Sequence, residues 1–309
     1  MSNWFRMLNY IQSSKRRLTK PRQILIKEIE KKIRYLVKYS YENVPFYNKL
    51  FKENDLHPDQ IKEIKDLNKI PIIEKHQLKQ ATLNDLISSE YKDQKLHHIS
   101  TGGSTGEPFT IYLSDTEKEW RQVIQLRANL HIGQKFYSRW ASMDNSDAYE
   151  KHRDNTPFFP HISIPTLWDN TRKFEKLVEF KPEIIEGLSS TLWSLVRYIK
   201  KTESKGFKPR LVFGTGEIVS PSSRELMEEV FETPFFDQIS CTETGRTAWE
   251  CKEKTGYHMN IDSVITQFID DEETEVASGE RGEMVYTSLH NLAMPILRYN
   301  IHDVGVPID

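Results

Sequence analysis

The chain has 309 residues, of which 37% are hydrophobic, and can therefore bury the core of one large domain or of two ordinary ones. Its 43 lysines and arginines nearly balance its 45 aspartates and glutamates. A formal net charge of −2 excludes an overall basic field directed at nucleic acid or an anionic membrane. Cys241 and Cys251 are too few for a disulfide framework, so we expect a cytoplasmic protein whose partners are small molecules or proteins.

Helical patterns dominate the first 95 residues. Apolar residues recur at helical spacing over residues 21–38, and a short helix is expected over residues 47–53. The basic segment at residues 1–20 is not followed by the apolar run that a signal peptide or a membrane span requires. We predict a helical region over residues 1–95 that packs on the large domain.

A glycine-rich segment, TGGSTGEP, occupies residues 101–108 between two strand-like runs. Its glycines allow positive φ and close approach of the backbone to a ligand, and its hydroxyl residues add donors. These residues are Thr101, Gly102, Gly103, Ser104, Thr105 and Gly106. An anion such as a triphosphate is the expected ligand, and a glycine-rich hairpin turn is the alternative. The phosphate loop of the P-loop NTPases is excluded, because GxxxxGK[ST] is absent and Glu107 stands in the lysine's place.

Helices and strands alternate between residues 109 and 239. The predicted helices cover residues 116–132, 173–179, 189–204 and 221–231, and the predicted strands cover residues 136–141, 184–187, 211–213 and 235–239. Residues 142–170 are polar, aromatic and rich in proline, which indicates a long functional loop or lid. This alternation predicts an α/β architecture with parallel connections, in which ligands gather beyond the carboxyl ends of the strands.

The final third of the chain is more β-rich. Apolar and polar residues alternate over residues 257–269, 282–289 and 295–299, which predicts antiparallel strands. The predicted fold class is therefore α/β, with parallel-rich sheets flanked by helices and a more antiparallel C-terminal segment.

Three further loops follow the glycine-rich segment: FGTGE at residues 213–217, CTETG at residues 241–245 and RYNIHDVG at residues 298–305. The order of the four loops resembles the adenylate-forming enzymes, in particular the phenylacetate-CoA ligase branch and its capsule-biosynthesis relatives. Similar segments occur along nearly the whole chain, namely NVPFY at 43–47, LNKIPI at 67–72, FKPEII at 180–185 and AMPILRY at 293–299.

The resemblance implies the large adenylate-forming (acyl-CoA synthetase-like) domain, with residues 96–309 as its nucleotide-binding core. It implies AMP-forming activation of a carboxylic acid by ATP, followed in relatives by transfer to coenzyme A or another acceptor. Thr242 and Glu243 resemble the family's catalytic pair, in which the hydroxyl meets the α-phosphate and the carboxylate binds Mg²⁺. Asp303 resembles the acceptor of the ribose hydroxyls, with Arg298 beside it as a structural or a phosphate-facing group.

The other cofactor contacts are implied in the loops. Ser104 and Thr105 resemble the residues that contact the β- and γ-phosphates, although Glu107 replaces the lysine that is common in the wider superfamily. The adenine-facing residues implied are Gly214, Thr215, Gly216 and Glu217, with Ser240 at the same rim. The alternatives are a strand-to-helix turn at residues 213–217 and a solvated surface charge at Glu243.

Cys251 and His258 form a Cys-x6-His pattern whose thiolate and imidazole suit a zinc ion. Relatives have two further cysteines after the segment that corresponds to Asp303, whereas this chain stops at Asp309. Cys241 is a third candidate ligand. The alternative is a buried cysteine and a surface histidine.

The given chain ends before the hinge and the small C-terminal domain of relatives, which supplies a catalytic lysine. We therefore expect nucleotide binding with little turnover, and a non-catalytic nucleotide-binding or scaffold protein is the alternative. The acid and the question of a homodimer stay open. The side chains that suit an aryl or acyl pocket are Trp140, Tyr149, Phe158, Phe159, His161 and Trp168.

Overall fold

A computed structural model describes residues 4–100, 109–144, 150–152 and 160–308. The chain forms two compact units. The first unit contains Met1–Arg127, Cys241–Thr247 and Met259–Asp309, and the second contains Ala128–Ser240 and Ala248–His258. Each unit has an apolar core of its own.

The observed helices confirm those that the apolar periodicity of the sequence predicts. Pro45 separates two of them, because proline suits the first turn of a helix but not its interior. The pattern at residues 221–231 coincides with an observed helix, whereas the bounds of the first helix, which lies in the region predicted to be helical, were not predicted. The α-helices in the described part of the chain are α1 (Trp4–Leu18), α2 (Arg22–Asn43), α3 (Pro45–Glu53), α4 (Lys75–Gln80), α5 (Leu83–Leu86), α6 (Asp115–Ile132), α7 (Asn170–Phe180), α8 (Ser189–Thr202) and α9 (Pro221–Phe231). Among these helices, none is long and apolar enough to cross a bilayer.

The strands fall into three sheets. Their bounds are β1 (His97–Ser100), β2 (Thr110–Leu113), β3 (Trp140–Asp144), β4 (Glu150–His152), β5 (His161–Pro165), β6 (Ile184–Leu188), β7 (Leu211–Thr215), β8 (Phe235–Cys241), β9 (Gly245–Glu250), β10 (Tyr257–Met259), β11 (Val264–Ile269), β12 (Gly282–Ser288) and β13 (Tyr299–Gly305).

An eight-stranded sheet has the order β10-β9-β8-β7-β6-β3-β5-β4, and its strands β3 to β7 lie in the second unit. Strands β5, β3, β6, β7 and β8 run parallel, and β4 pairs antiparallel with β5. Residues of β6 and β7 are buried almost throughout, as expected for parallel strands that are covered on both faces. Apolar side chains of α7, α8 and α9 pack with these strands.

The first unit contains two antiparallel sheets. Strands β1 and β2 form a hairpin, and β11, β12 and β13 form a three-stranded sheet. The apolar face of α2 packs in one core with residues from the end of the chain, including Leu297 and Tyr299. The parallel-rich sheet and the separate antiparallel sheet confirm the predicted fold class.

The strand predicted over residues 136–141 begins only at Trp140, and two other local predictions were wrong. Residues 142–170 are not one long loop, because they contain the end of β3 and the strands β4 and β5. Residues 295–298 are not a strand, since β13 begins at Tyr299. In the first case, burial between neighbouring strands stabilises segments whose local sequence resembles a loop.

Candidate functional site

The glycine-rich segment at residues 101–108 lies outside the described residues, so its phosphate contacts stay a prediction. The two strand-like runs that flank it are antiparallel partners, β1 and β2, with Ser100 opposite Thr110. The Ser100 and Thr110 hydroxyl oxygens lie 2.9 Å apart. The segment therefore joins two paired strand ends.

In the second unit, the FGTGE loop follows the carboxyl end of β7. Thr215 ends that strand, and its Oγ1 lies 2.8 Å from Oγ of Ser240 on the parallel neighbour β8. Two predicted cofactor-binding residues are thus hydrogen-bonded at the rim where α/β sheets bind ligands.

The glycines of this loop have packing and backbone roles. A Cβ on Gly214 would lie 2.2 Å from Cζ of Phe235, so only glycine fits there. Gly216 has φ of 80°, a conformation that glycine adopts without strain. The carboxylate of Glu217 accepts hydrogen bonds from N and Oγ of Ser190, at 2.6 and 2.9 Å, near the N-terminus of α8. Glu217 therefore stabilises the start of α8.

In the first unit, a partly buried arginine holds the CTETG loop. Arg121 on α6 donates to the carbonyl oxygen of Thr242 at 2.8 Å and also to that of Glu243. Asn291 donates to the same Glu243 oxygen at 3.3 Å. Burial lowers the pKa of Arg121 to about 10, which leaves the guanidinium charged at neutral pH. The turn ends at Gly245, whose φ is 84°.

Glu243 is 5% exposed, and its side chain contacts Tyr299 of the RYNIHDVG loop. Its Oε1 accepts a hydrogen bond of 3.0 Å from the hydroxyl of Tyr299 on β13. Burial and the charge of Glu243 raise the pKa of Tyr299, so the phenol remains a donor. Partial desolvation and the charge of Glu243 also raise the pKa of Asp303. The predicted magnesium ligand and ribose acceptor therefore lie within electrostatic range of each other.

Arg298 has contacts that fit the structural role which the sequence left open. The residue is 2% exposed, and its Nη1 donates to the carbonyl oxygens of Asn68 at 3.1 Å and Ile70 at 2.6 Å. These two hydrogen bonds hold the segment before α4 against the start of β13.

The predicted zinc ligands Cys251 and His258 lie in the second unit. The rings of His258 and His131 lie 4.9 and 5.0 Å from the ring of Trp249, and Cys251 packs in the same apolar cluster. Among the described residues, no three histidine, cysteine, aspartate or glutamate side chains are placed to hold a metal ion. The zinc site stays a prediction without structural support.

Cys241, the third candidate zinc ligand, is a partly buried thiol in the first unit. Its Sγ lies 3.0 Å from Oγ1 of Thr244. Burial, with the charge of Glu243, raises the pKa of this cysteine to about 11, which disfavours the thiolate that zinc requires.

The sequence did not predict the supporting residues Arg121 and Asn291. An arginine in an amphipathic helix and an asparagine in a connecting segment are ordinary in sequence. Only their contacts with residues more than forty positions away distinguish them.

No family model matches the chain. It is 25% identical to the phenylacetate-coenzyme A ligase of Escherichia coli over 292 residues, which cover 88% of this chain and 65% of that protein. It is 26% identical to the ligase of the same name from Pseudomonas putida, of which it covers 64%. Identity to the protein CapK of Staphylococcus aureus is 23% over 290 residues, which cover 86% of this chain and 59% of CapK. The chain thus spans about two-thirds or less of each relative.

The fold matches solved structures of 2-hydroxyisobutyryl-CoA ligase. In its open conformation, in complex with 2-HIB-AMP and CoA, that ligase superposes with a TM-score of 0.80 and 19% identity over 94% of this chain and 72% of its own. In its postadenylation state with 2-HIB-AMP, the TM-score is 0.81 at 20% identity. The predicted resemblance is therefore confirmed: the chain has the fold of the adenylate-forming CoA ligases, and its sequence is similar to the phenylacetate-CoA ligases and to CapK.

Proposed function

We propose that the chain is the nucleotide-binding part of an AMP-forming ligase that activates a carboxylic acid with ATP and passes the acyl group to coenzyme A or another acceptor. In the first step, a carboxylate oxygen of the acid attacks the α-phosphorus of ATP, and the bond to pyrophosphate breaks. In the second step, the acceptor attacks the acyl carbonyl carbon, and AMP leaves. Two free cysteines, Cys241 and Cys251, are consistent with action in the cytoplasm.

The observation that carries this proposal is the arrangement around Glu243. A buried carboxylate held by Tyr299, with Asp303 in electrostatic range, offers one ligand for Mg²⁺ and one acceptor for a ribose diol. Bound Mg²⁺ would neutralise charge on the pyrophosphate. The hydroxyl of Thr242, whose backbone Arg121 holds, is the donor proposed for the α-phosphate.

In the second unit, Gly214, Thr215, Gly216 and Ser240 are proposed to face the adenine. The position of this loop supports the role, because Thr215 and Ser240 are hydrogen-bonded at the carboxyl ends of two parallel strands, where α/β sheets bind ligands. Glu217 is proposed to act through the α8 N-terminus rather than on the base. The glycine-rich segment at residues 101–108 is proposed to bind the β- and γ-phosphates.

Pyrophosphate exchange with a panel of carboxylic acids tests this function. We expect weak ATP-dependent exchange with at least one acid, in keeping with the low turnover expected from the sequence, and we expect Glu243→Ala to abolish it. Glu253→Ala is the matched control, because Glu253 is exposed. Nucleotide binding without exchange for any acid would favour the non-catalytic alternative. Folded protein that binds neither ATP nor AMP in calorimetry would overturn the proposal.

A further inference from the structure

The strand that carries Asp303 contains a bulge. Between two regular pairs of β12 and β13, one residue of β12, Met284, faces three residues of β13, 301–303. The central residue, His302, has φ of 59°, a left-handed conformation that is strained for any residue with a side chain. Bulges turn a side chain to a new direction, so this bulge determines where Asp303 points.

His302 and Asn300 hold the bulge by a closed set of contacts. Nε2 of His302 lies 2.7 Å from Oε2 of Glu74, and its Nδ1 lies 3.4 Å from Oε2 of Glu283. The backbone N–H of His302 donates to Oδ1 of Asn300 at 2.8 Å. Nδ2 of Asn300 donates to Glu283 at 2.8 Å. The imidazole thus connects β13 with β12 and with the segment that precedes α4.

Glu74 is itself fixed to β13 through the backbone. The preceding residue, Ile73, pairs in parallel with Tyr299. Its N–H donates to the carbonyl oxygen of Arg298 at 2.9 Å, and its carbonyl oxygen accepts from the N–H of Asn300 at 3.0 Å. The carboxylate that His302 contacts is therefore held at a defined position.

The two contacts of the His302 ring with Glu74 and Glu283, which we call the clamp, depend on the charge of the imidazole. An imidazolium donates through both nitrogens, whereas neutral histidine donates through only one. Partial burial opposes protonation, but the hydrogen bond with Glu74 and the charges of Glu74 and Glu283 raise the pKa of His302. His302 also lines an open cleft whose further ionisable residues are His76, Asp270, Asp271 and Glu273. Carboxylates outnumber imidazoles there, which favours the protonated ring.

We propose that His302 is a positioning residue: its imidazolium clamps Glu74 and Glu283 and so fixes the bulge that presents Asp303 to the ribose of a bound nucleoside. This inference rests on the proposed function, in which Asp303 accepts the ribose hydroxyls. As the pH rises through the pKa of His302, one of the two ring hydrogen bonds is lost. The bulge then loosens, and affinity for the ribose falls.

Calorimetric binding of adenosine across pH values from about 6 to about 8.5 tests the clamp. Adenosine is the probe because it carries the ribose diol and no phosphate that titrates in this range. For the wild type we expect the Kd to rise about two- to fivefold, because the His302 side chain is 61% exposed and solvent screens its ion pairs. His302→Gly tolerates the positive φ but lacks the clamp, and His302→Gln keeps a donor that does not titrate. Both are expected to bind adenosine with a Kd that does not change with pH.

His57→Gln is the matched control, since His57 is an exposed histidine beside Asp59 and should keep the wild-type profile. The inference is overturned if His302→Gln retains the pH dependence of the wild type, or if the wild type shows none. Asp303→Asn separates this result from the proposed function. If that variant binds adenosine as the wild type does, Asp303 is not the ribose acceptor and the proposed role of Asp303 fails.

Discussion

The lysine at position 32 should make the stability of this protein depend on pH in a defined direction. Its Nζ, on α2, lies 2.8 Å from Nε2 of His290 and 3.2 Å from the carbonyl oxygen of Asp262. The guanidinium groups of Arg17 and Arg127 both donate to the single carboxylate of Asp262. Burial, followed by the charge of Arg17, lowers the pKa of Lys32 to about 7.

The sign follows from proton binding. A lysine in the unfolded chain keeps its ordinary pKa of 10.5, so between pH 7 and pH 10.5 the unfolded chain binds a proton that the folded chain lacks. Stability therefore rises with pH in this window, by at most about 1.4 kcal/mol per pH unit. Lys32→Met keeps the apolar stem and removes the amine. The free energy of unfolding of Lys32→Met minus that of the wild type should be largest at pH 7 and below. This difference should fall by about 1–2 kcal/mol between pH 7 and pH 9, after allowance for solvent screening.

Urea denaturation at pH 7, 8 and 9 measures this effect. The difference between Lys32→Met and the wild type isolates the lysine, because groups common to both chains cancel. Lys31→Met is the matched control, since Lys31 is the exposed neighbour on α2. Its free energy of unfolding should stay within about 0.5 kcal/mol of the wild-type value at each pH. A difference for Lys32→Met that is constant with pH would refute the reasoning.

Two substitutions test the packing of the candidate site. Gly214→Ala should lower the free energy of unfolding by at least about 2 kcal/mol, because the new Cβ would overlap the ring of Phe235. Gly279→Ala, at φ of 89° in open space, should cost only about 1 kcal/mol from backbone strain, so equal losses would contradict this account. Tyr299→Phe removes the donor to the buried carboxylate of Glu243 and should cost about 1.5–3 kcal/mol, measured by urea denaturation. Unchanged stability would mean that this hydrogen bond contributes nothing net.

Local sequence was sufficient for most of the elements. Helix α9 spans the residues that its pattern predicts, and β6 and β7 contain the predicted apolar runs. Periodicity of this kind reflects which face of an element is buried, so a single segment reveals it. Where the pattern was weak, as over residues 142–170, the strands depend on neighbours in the sheet and were missed.

The sequence by itself determined the α/β class, the order of the loops and the identity of Glu243 and Asp303 as candidate site residues. Only the tertiary structure decided what surrounds them. Arg121 contacts the backbone at Glu243 from 122 positions away, and His302 reaches Glu74 across 228 positions. Such contacts have no local signature, because hydrogen-bond geometry and desolvation depend on side chains that folding brings together from distant parts of the chain.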